Sequence, residues 1–394
     1  MESLNKVRVI LLLNDTDASH LTQSRGVSLW LASHTGAEIL EMEVPLLSGA
    51  ARKRADAAAR KLAGGNRRDA RDWLTMADGD SLVRRVGASF AELGVREGAR
   101  DILIISAGEA AAPYNLALGY IWRCHCATVM RPGIVTTDPF DFAIIADHEF
   151  PERKPNILVT LGAVNSIQKE NLFSEAQKFL EFYPPNKKQS PKWSVIIGGD
   201  DDNYTMTPQW VKRNLGLLLR SSVNAEAELY IHVSEKISTQ TAKTISQIAI
   251  HAENIRYLGW ETEESYNPIA AMLGFSDAVF CTEDLHDNIT EAITAGNKVV
   301  LMRTEAKRNL KKVLQDITAS MIKAGAAPQS LLWGKPKYDM LFDHFLRYEL
   351  MLEFKTWQKS RHGLVLSQSA DRLVIAEDFN EAKRAAEWII NNWG

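Results

Sequence analysis

The sequence predicts an α/β fold built from two successive doubly wound domains. Three observations predict it. Apolar runs of four to seven residues recur along the chain, each followed by a polar or glycine-bearing loop and then a helix-forming stretch. The series occurs twice, on either side of a Pro- and Lys-rich connector, YPPNKKQSPK, at 183–192, and the domain boundary is placed there or slightly before it. The chain's 394 residues, 45% of them hydrophobic, suffice for two ordinary cores. Residues 1–185 therefore read as the N-terminal domain, 193–375 as the second domain, and 376–394 as a terminal helix that crosses back over the first.

Taken in order, residues 7–13 read as a buried strand, 14–23 as a polar loop (NDTDASHLTQ), 24–33 as a helix and 37–44 as a second strand. Residues 51–72 depart from this rhythm. The span 52–71 holds eight basic and two acidic side chains, a net +6, in an Ala-rich helix broken at Gly64-Gly65. It reads either as a solvated insertion or as a basic face for anionic lipid or an anionic acceptor. A helix at 80–93, a strand at 101–106, a helix at 114–122 and strands at 127–130, 140–146 and 156–160 follow. A helix at 173–182 precedes the connector.

The second series begins with a strand at 194–197 leading into Gly198-Gly199-Asp200. A helix follows at 208–220 with Pro in its first turn, then a strand at 228–232, a helix at 239–249, a short strand at 255–258 before Gly259-Trp260, and a helix at 266–273. The stretch 276–303, SDAVFCTEDLHDNITEAITAGNKVVLMR, organises this half as strand, polar turn, helix, Gly, strand. Gly296 suits the left-handed residue that ends a helix. A long helix is expected at 306–324. Residues 340–357 carry Phe342, Phe345, Leu346, Leu350, Phe354 and Trp357 at helical spacing, for packing or for membrane apposition.

A net charge of −3 and a pI near 6.3 argue against a nucleic-acid binder. Cys124 and Cys126 form C-x-C with no other Cys–His group of zinc spacing nearby, which argues against a metal site. With Cys281 they make a sparse, odd set suited to a reducing cytosol. No apolar run approaches bilayer-spanning length, and MESLNKVRVILLL runs directly into a strand rather than reading as a signal peptide.

In α/β sheets, ligands meet the loops at the C-terminal ends of the strands, so candidate residues are sought there. Gly198 and Gly199 let backbone approach a ligand closely, and Gly162 after Thr160 is similar. The helix after Thr282 offers N–H groups to an anion, and Glu291, one turn inside it, has the reach for a ribose diol. Asp17 and His20 in the first loop are candidate bases, His20 having the ordinary pKa for the task or else serving as a helix cap. His148 ends another strand, as a base or a polar loop residue. Arg131 offers a planar fork to a carboxylate or phosphate.

Several segments, in their order, resemble the plant "elongated mitochondria" fission-protein family and its bacterial homologues. They are NDTDASHLTQSRG (14–26), SAGEAAAP (106–113), MRPG (130–133), FDFAIIADHE (140–149), NILVTLGAVNSI (156–167), VIIGGD (195–200), RYLGWETEESYNPIAAMLGFSDAVFCTED (256–284) and TEAITAGNKVVLM (290–302). The resemblance implies two Rossmann-like domains in a GT-B glycosyltransferase arrangement with an interdomain cleft. It implies transfer of a sugar from a nucleotide-activated donor to a cell-surface glycan or lipid-linked acceptor. No metal or cofactor is implied; the nucleotide sugar is a substrate. The donor would be held by Gly162, Gly198, Gly199, Gly259, Trp260, Thr282, Thr290 and Glu291, with Trp260 beside the base or simply a core aromatic. The acceptor would meet Arg131 and a base among His20, Asp17 and His148. The setting would be cytoplasmic, with peripheral contact to anionic membrane through 51–72. Glu283, Asp284 and Asp287 depart from the small hydroxyl residues that family members tend to carry. They repel a diphosphate unless a cation or basic side chain offsets them, which favours a non-catalytic adaptor as one alternative; a nucleotide-sugar epimerase, which shares the fold, is another.

Overall fold

The computed structural model describes residues 7–261, 267–359 and 379–393. The chain forms the expected α/β fold, dividing into two units, each built on a six-stranded parallel sheet.

Unit 1 comprises Met1–Ser166 and Asn380–Gly394. Its elements are β1 (Val9–Asn14), α1 (Ala18–Thr35), β2 (Glu38–Glu43), α2 (Gly49–Ala59), α3 (Arg67–Met76), α4 (Asp80–Glu92), β3 (Ile102–Ala107), α5 (Gly108–Trp122), β4 (His125–Val129), β5 (Phe142–Ala146) and β6 (Ile157–Thr160). The strand order is β2-β1-β3-β4-β5-β6, every pair parallel. Because strand side chains alternate, β1 feeds two cores at once. Val9, Leu11 and Leu13 pack with residues of α2 to α5, while Ile10 and Leu12 pack with α1 and the last helix, Glu381–Asn391. That helix buries Ala382, Ala385, Ala386 and Ile389 in unit 1. Helix α1 starts six residues earlier than the periodicity suggests, because the Asp17 carboxylate accepts from the N–H groups of Ser19 and His20 and caps it.

The basic stretch 51–72 is not a detached insertion. It spans α2, a 3-10 turn at Arg60–Gly64 and the start of α3, and its small and apolar residues Ala55, Ala59, Leu62 and Ala70 lie in the unit 1 core. Trp73 Nε1 donates to the Ala55 carbonyl at 2.9 Å, tying α3 to α2. Arg52 pairs with Asp56, and Arg67 with Glu97.

Unit 2 is Ile167–Phe379. The division falls ahead of the Pro- and Lys-rich connector, on the earlier side of the expected boundary. The reason is packing. Helix α6 (Lys169–Phe182) buries Leu172, Ala176 and Phe179, lying against α9 (Ile269–Phe275) so closely that a Cβ on Gly274 would stand 2.4 Å from the Leu172 carbonyl. Loop composition marks an exposed turn; it does not report which sheet the preceding helix covers.

The unit continues with β7 (Lys192–Ile197), β8 (Tyr204–Thr205), α7 (Pro208–Asn224), β9 (Glu228–Val233), α8 (Thr239–Ala249), β10 (Ile255–Trp260) and α9. Then come β11 (Ala278–Thr282), α10 (His286–Thr294), β12 (Val299–Met302), β13 (Glu305–Ala306), α11 (Leu310–Lys323), α12 (Lys335–Arg347), β14 (Met351–Glu353) and α13 (Phe354–Lys359). The parallel sheet runs β10-β9-β7-β11-β12-β14, and β8 pairs antiparallel with β13. The single amphipathic helix expected over 340–357 is instead α12, a strand and α13. Glu349 adopts φ +57° and ends the helical run, and Met351 then pairs with Val299 at the sheet edge. Its apolar residues Phe342, Phe345, Phe354 and Trp357 are buried. The segment 360–378, residues 1–6 and 262–266 lie outside the described residues, and with them the expected domain end at 375, the helix start at 266 and the beginning of the terminal stretch at 376. Among the described residues no helix is long and apolar enough to cross a membrane.

Candidate functional site

An open α/β sheet binds ligands where its strand order reverses, beyond the carboxyl ends of the two strands that flank the reversal. In unit 1 the chain steps from β1 to β2 on one side, then to β3 on the other, so the switch point lies between β1 and β3. In unit 2 it runs β7, β9, β10 to one side and then starts β11 on the other. That order is the one of dinucleotide-binding sheets.

At the unit 1 switch point, β1 runs into Asp15, which is buried, and α1 presents His20, whose ring is about three-quarters buried. His20 Nδ1 lies 2.8 Å from Asp15 Oδ2. The ring also lies against the backbone at the end of β3. A Cβ on Gly108, which adopts φ +73°, would stand 2.4 Å from His20 Cε1, so only glycine lets β3 pass into α5 here. An imidazole that donates from Nδ1 to a carboxylate keeps its basic lone pair on Nε2, the arrangement of an oriented general base.

At the unit 2 switch point, the loops after β7 and β11 are laced together. Thr282 Oγ1 accepts from the Gly198 N–H at 2.8 Å, and Asp284 Oδ2 from the Gly199 N–H at 2.9 Å. A Cβ on Gly198 would lie 1.7 Å from Asp284 Oδ2. Burial raises the Asp284 carboxyl above its usual range, with Thr282 and Gly199 opposing the rise. The neighbouring Glu283 is buried and engages Lys335 Nζ at 2.7 Å, Arg303 at 3.1 Å and the Thr304 N–H at 2.7 Å. Arg303 in turn reaches Asp339 at 2.7 Å and Glu353 at 3.0 Å. Glu283 is therefore offset by basic side chains of the same unit, while Asp284 is held by backbone. Glu291, one turn into α10, accepts from Asn288 Nδ2 at 2.9 Å. Burial pushes its carboxyl up to about 7, Asn288 opposing and Asp287 adding to the rise. Both carboxylates lie close enough to Cys281 that, with burial, they drive its thiol well above the ordinary range. Beside the start of α10, the His286 and Tyr338 rings lie 4.2 Å apart.

The other candidates fall elsewhere. Asp17 spends its carboxylate on the α1 cap. His148 is buried in the 3-10 turn after β5, two strands beyond β3, with Nε2 3.8 Å from Glu149. Arg131 donates to the Phe150 carbonyl at 2.6 Å. Gly162 belongs to unit 1, as its place within 1–185 implies. It follows the edge strand β6, and its carbonyl accepts the Thr160 hydroxyl at 2.7 Å. Gly259 and Trp260 are the last residues of the edge strand β10 rather than a loop after it. Tyr257 covers Gly259, and Trp260 packs against the unit 2 core. Thr290 is buried and donates to the His286 carbonyl within its own helix.

A family model described as mitochondrial fission ELM1 matches residues 18–393. The chain belongs to the mitochondrial fission ELM1 family. No curated protein matches the sequence. Solved structures of similar fold include the glycosyltransferase SnogD from Streptomyces nogalater, 12% identical, covering 98% of this chain and 95% of that one at TM-score 0.44. The UDP-GlcNAc 2-epimerase from Neisseria meningitidis bound to UDP-GlcNAc is 8% identical, covering 86% and 99% at TM-score 0.45. UGT2 of Phytolacca americana, complexed with UDP-2fluoro-glucose and pterostilbene, is 10% identical, covering 98% and 99% at TM-score 0.45.

Sequence reasoning missed three parts of this ELM1-family chain's site. Asp15 sits two residues from Asp17 in NDTD, and the end of β1 is the signal that singles it out. Lys335 lies 52 residues beyond Glu283 with no local pattern joining them. The His286–Tyr338 ring pair is equally non-local.

Proposed function

We propose that the chain is a glycosyltransferase that moves a sugar from a nucleotide-activated donor to a glycan or lipid-linked acceptor. Unit 2 holds the donor nucleotide and unit 1 supplies the base. The observation that carries this reading is the coincidence of chemistry with topology: each sheet has a polar constellation at its own switch point, where a doubly wound sheet binds ligands. His20 Nε2 takes the acceptor hydroxyl proton as that oxygen bonds to the anomeric carbon. The bond from that carbon to the phosphate oxygen breaks, and the nucleoside diphosphate leaves with the electron pair. Asp15 orients the ring and stabilises the imidazolium that forms. Glu291 accepts from the ribose hydroxyls, and the Gly198 and Gly199 backbone approaches the phosphates once Asp284 has been displaced. Donor, acceptor and base are sufficient for this balance, with no metal or cofactor invoked. The reading carries a cytoplasmic location.

A second reading, a non-catalytic binding protein, is favoured by one observation: Asp284 already occupies the Gly199 N–H that a phosphate would take. Turnover separates the readings. The chain is incubated with a panel of nucleotide sugars and lipid-linked or glycan acceptors, and nucleoside diphosphate release is followed alongside NMR of the donor. Release that is lost in His20→Ala supports the transferase. An isomerised donor without release identifies an epimerase, and an untouched panel favours the non-catalytic protein.

A further inference from the structure

Helix α11 is docked the wrong way round for a soluble amphipathic helix. Its polar side faces the unit: Gln315 is buried and donates to Asn203 Oδ1 at 2.8 Å, Lys311 pairs with Asp202 at 2.5 Å, and Asn309 Nδ2 donates to the Asp202 carbonyl at 3.3 Å. Its apolar side faces outward. Leu310, Val313, Leu314, Ile317 and Met321 form one stripe at helical spacing, all exposed, from 46% at Met321 to 83% at Leu310. Leu331 and Trp333, just beyond the helix, are exposed as well. Surface helices ordinarily bury such a stripe, and a contiguous apolar patch of this kind marks an interaction site.

Charge says what covers it. Residues 307–323, the helix and its approach, carry five basic side chains and one acidic, a net +4 in a chain whose total is −3. Arg308 and Lys323 flank the stripe and are exposed. An apolar stripe edged by lysine and arginine, with an exposed tryptophan nearby, matches the boundary between headgroups and acyl chains of an anionic bilayer. A second copy of the chain fits worse, since a two-fold contact would set this basic surface against itself. The basic stretch 51–72 fits worse too, because its apolar residues Ala55, Ala59 and Leu62 are turned into the unit 1 core. We propose that α11 lies in the interface of an anionic membrane, its apolar stripe immersed and its flanking lysines and arginine at the phosphates. The proposal rests on the surface of unit 2 and is independent of which reaction the chain performs.

Co-sedimentation of the full chain with phosphatidylcholine vesicles, with and without phosphatidylglycerol, tests it. Binding to the anionic vesicles should exceed binding to neutral ones by about tenfold or more and fall with salt. Leu314→Asp with Ile317→Asp should lower it by about tenfold or more without changing the unfolding temperature. Arg308→Glu with Lys323→Glu, which leaves the stripe intact, should remove the preference for anionic vesicles. Absence of binding, or binding that survives both pairs of substitutions, overturns the proposal. So does a wild-type dimer that the aspartate pair dissociates in sedimentation velocity, which would assign the stripe to a second copy. A marked fall in unfolding temperature for the aspartate pair without vesicles would assign it to the chain's own residues, such as 360–378, and overturns it equally.

Discussion

At the switch point of unit 1, the Asp15–His20 ion pair sets a titratable ring against Gly108. At that of unit 2, Glu283, Arg303, Lys335, Asp339 and Glu353 form a connected network, and Thr282 and Asp284 tie two loops together. The difference separates what a charged residue does for stability from what it does for chemistry. Removing one member of a buried network strands its partners' charge in a poor solvent, so the cost appears in folding. If His20 is the base, removing its ring should cost the reaction far more than the fold. The same topological position thus holds a charge network in one unit and, on the proposed function, the candidate base in the other.

The largest expected effect is on turnover. His20→Ala should lower kcat by about 10²- to 10⁴-fold while changing stability by no more than about 1 kcal/mol. A comparable loss of stability would make the ring structural and erase the contrast between the units. Next comes Glu283→Ala, which leaves Arg303 and Lys335 without their shared buried carboxylate. It should cost about 3–5 kcal/mol in urea unfolding. A cost under about 1 kcal/mol would put the network in the class of surface pairs.

The pH dependence of stability sharpens the comparison further. Glu291 titrates at about 7 in the folded chain against an ordinary 4.5. Between those values the folded state binds more protons than the unfolded one, so stability present below pH 4.5 is lost as pH rises through 7. At 1.36 kcal/mol per unit the span is roughly 3 kcal/mol. Glu291→Gln should flatten that slope; an unchanged slope would assign the pH dependence to other groups. The smallest effect is Gly198→Ala, which forces a methyl group against Asp284. It should cost about 1–3 kcal/mol and be largely relieved in the double variant with Asp284→Ala.

Much of the fold was legible because buried parallel strands advertise themselves. The runs at 7–13, 101–106 and 278–281 each contain most of a strand the structure forms, and Gly296 does adopt positive φ after α10. Helix α8 matches its sequence pattern residue for residue. What failed was information carried by packing. The unit boundary was hidden because α6 shows its destination only through contact with α9. The break inside 340–357 was hidden because a three-residue strand barely disturbs a helical count of apolar residues. In the site, the loops at the switch points could be read, but their pairings could not. Nothing near Glu283 in sequence points to Lys335. The carboxylate nearest His20 in space is Asp15, although Asp17 is nearer in sequence. Glu283 looked hostile to an anion because its counter-charges arrive from the residue after β12 and from α12.

Thermal unfolding of the full chain against a panel of nucleoside diphosphates and nucleotide sugars tests most directly whether the unit 2 switch point holds such a donor. A ligand bound there should raise the unfolding temperature in a concentration-dependent way, with about 2.7 kcal/mol of stabilisation at a hundredfold excess over Kd. The rise should be reduced in Glu291→Ala. A flat response across the panel, or a shift that Glu291→Ala leaves untouched, would contradict it.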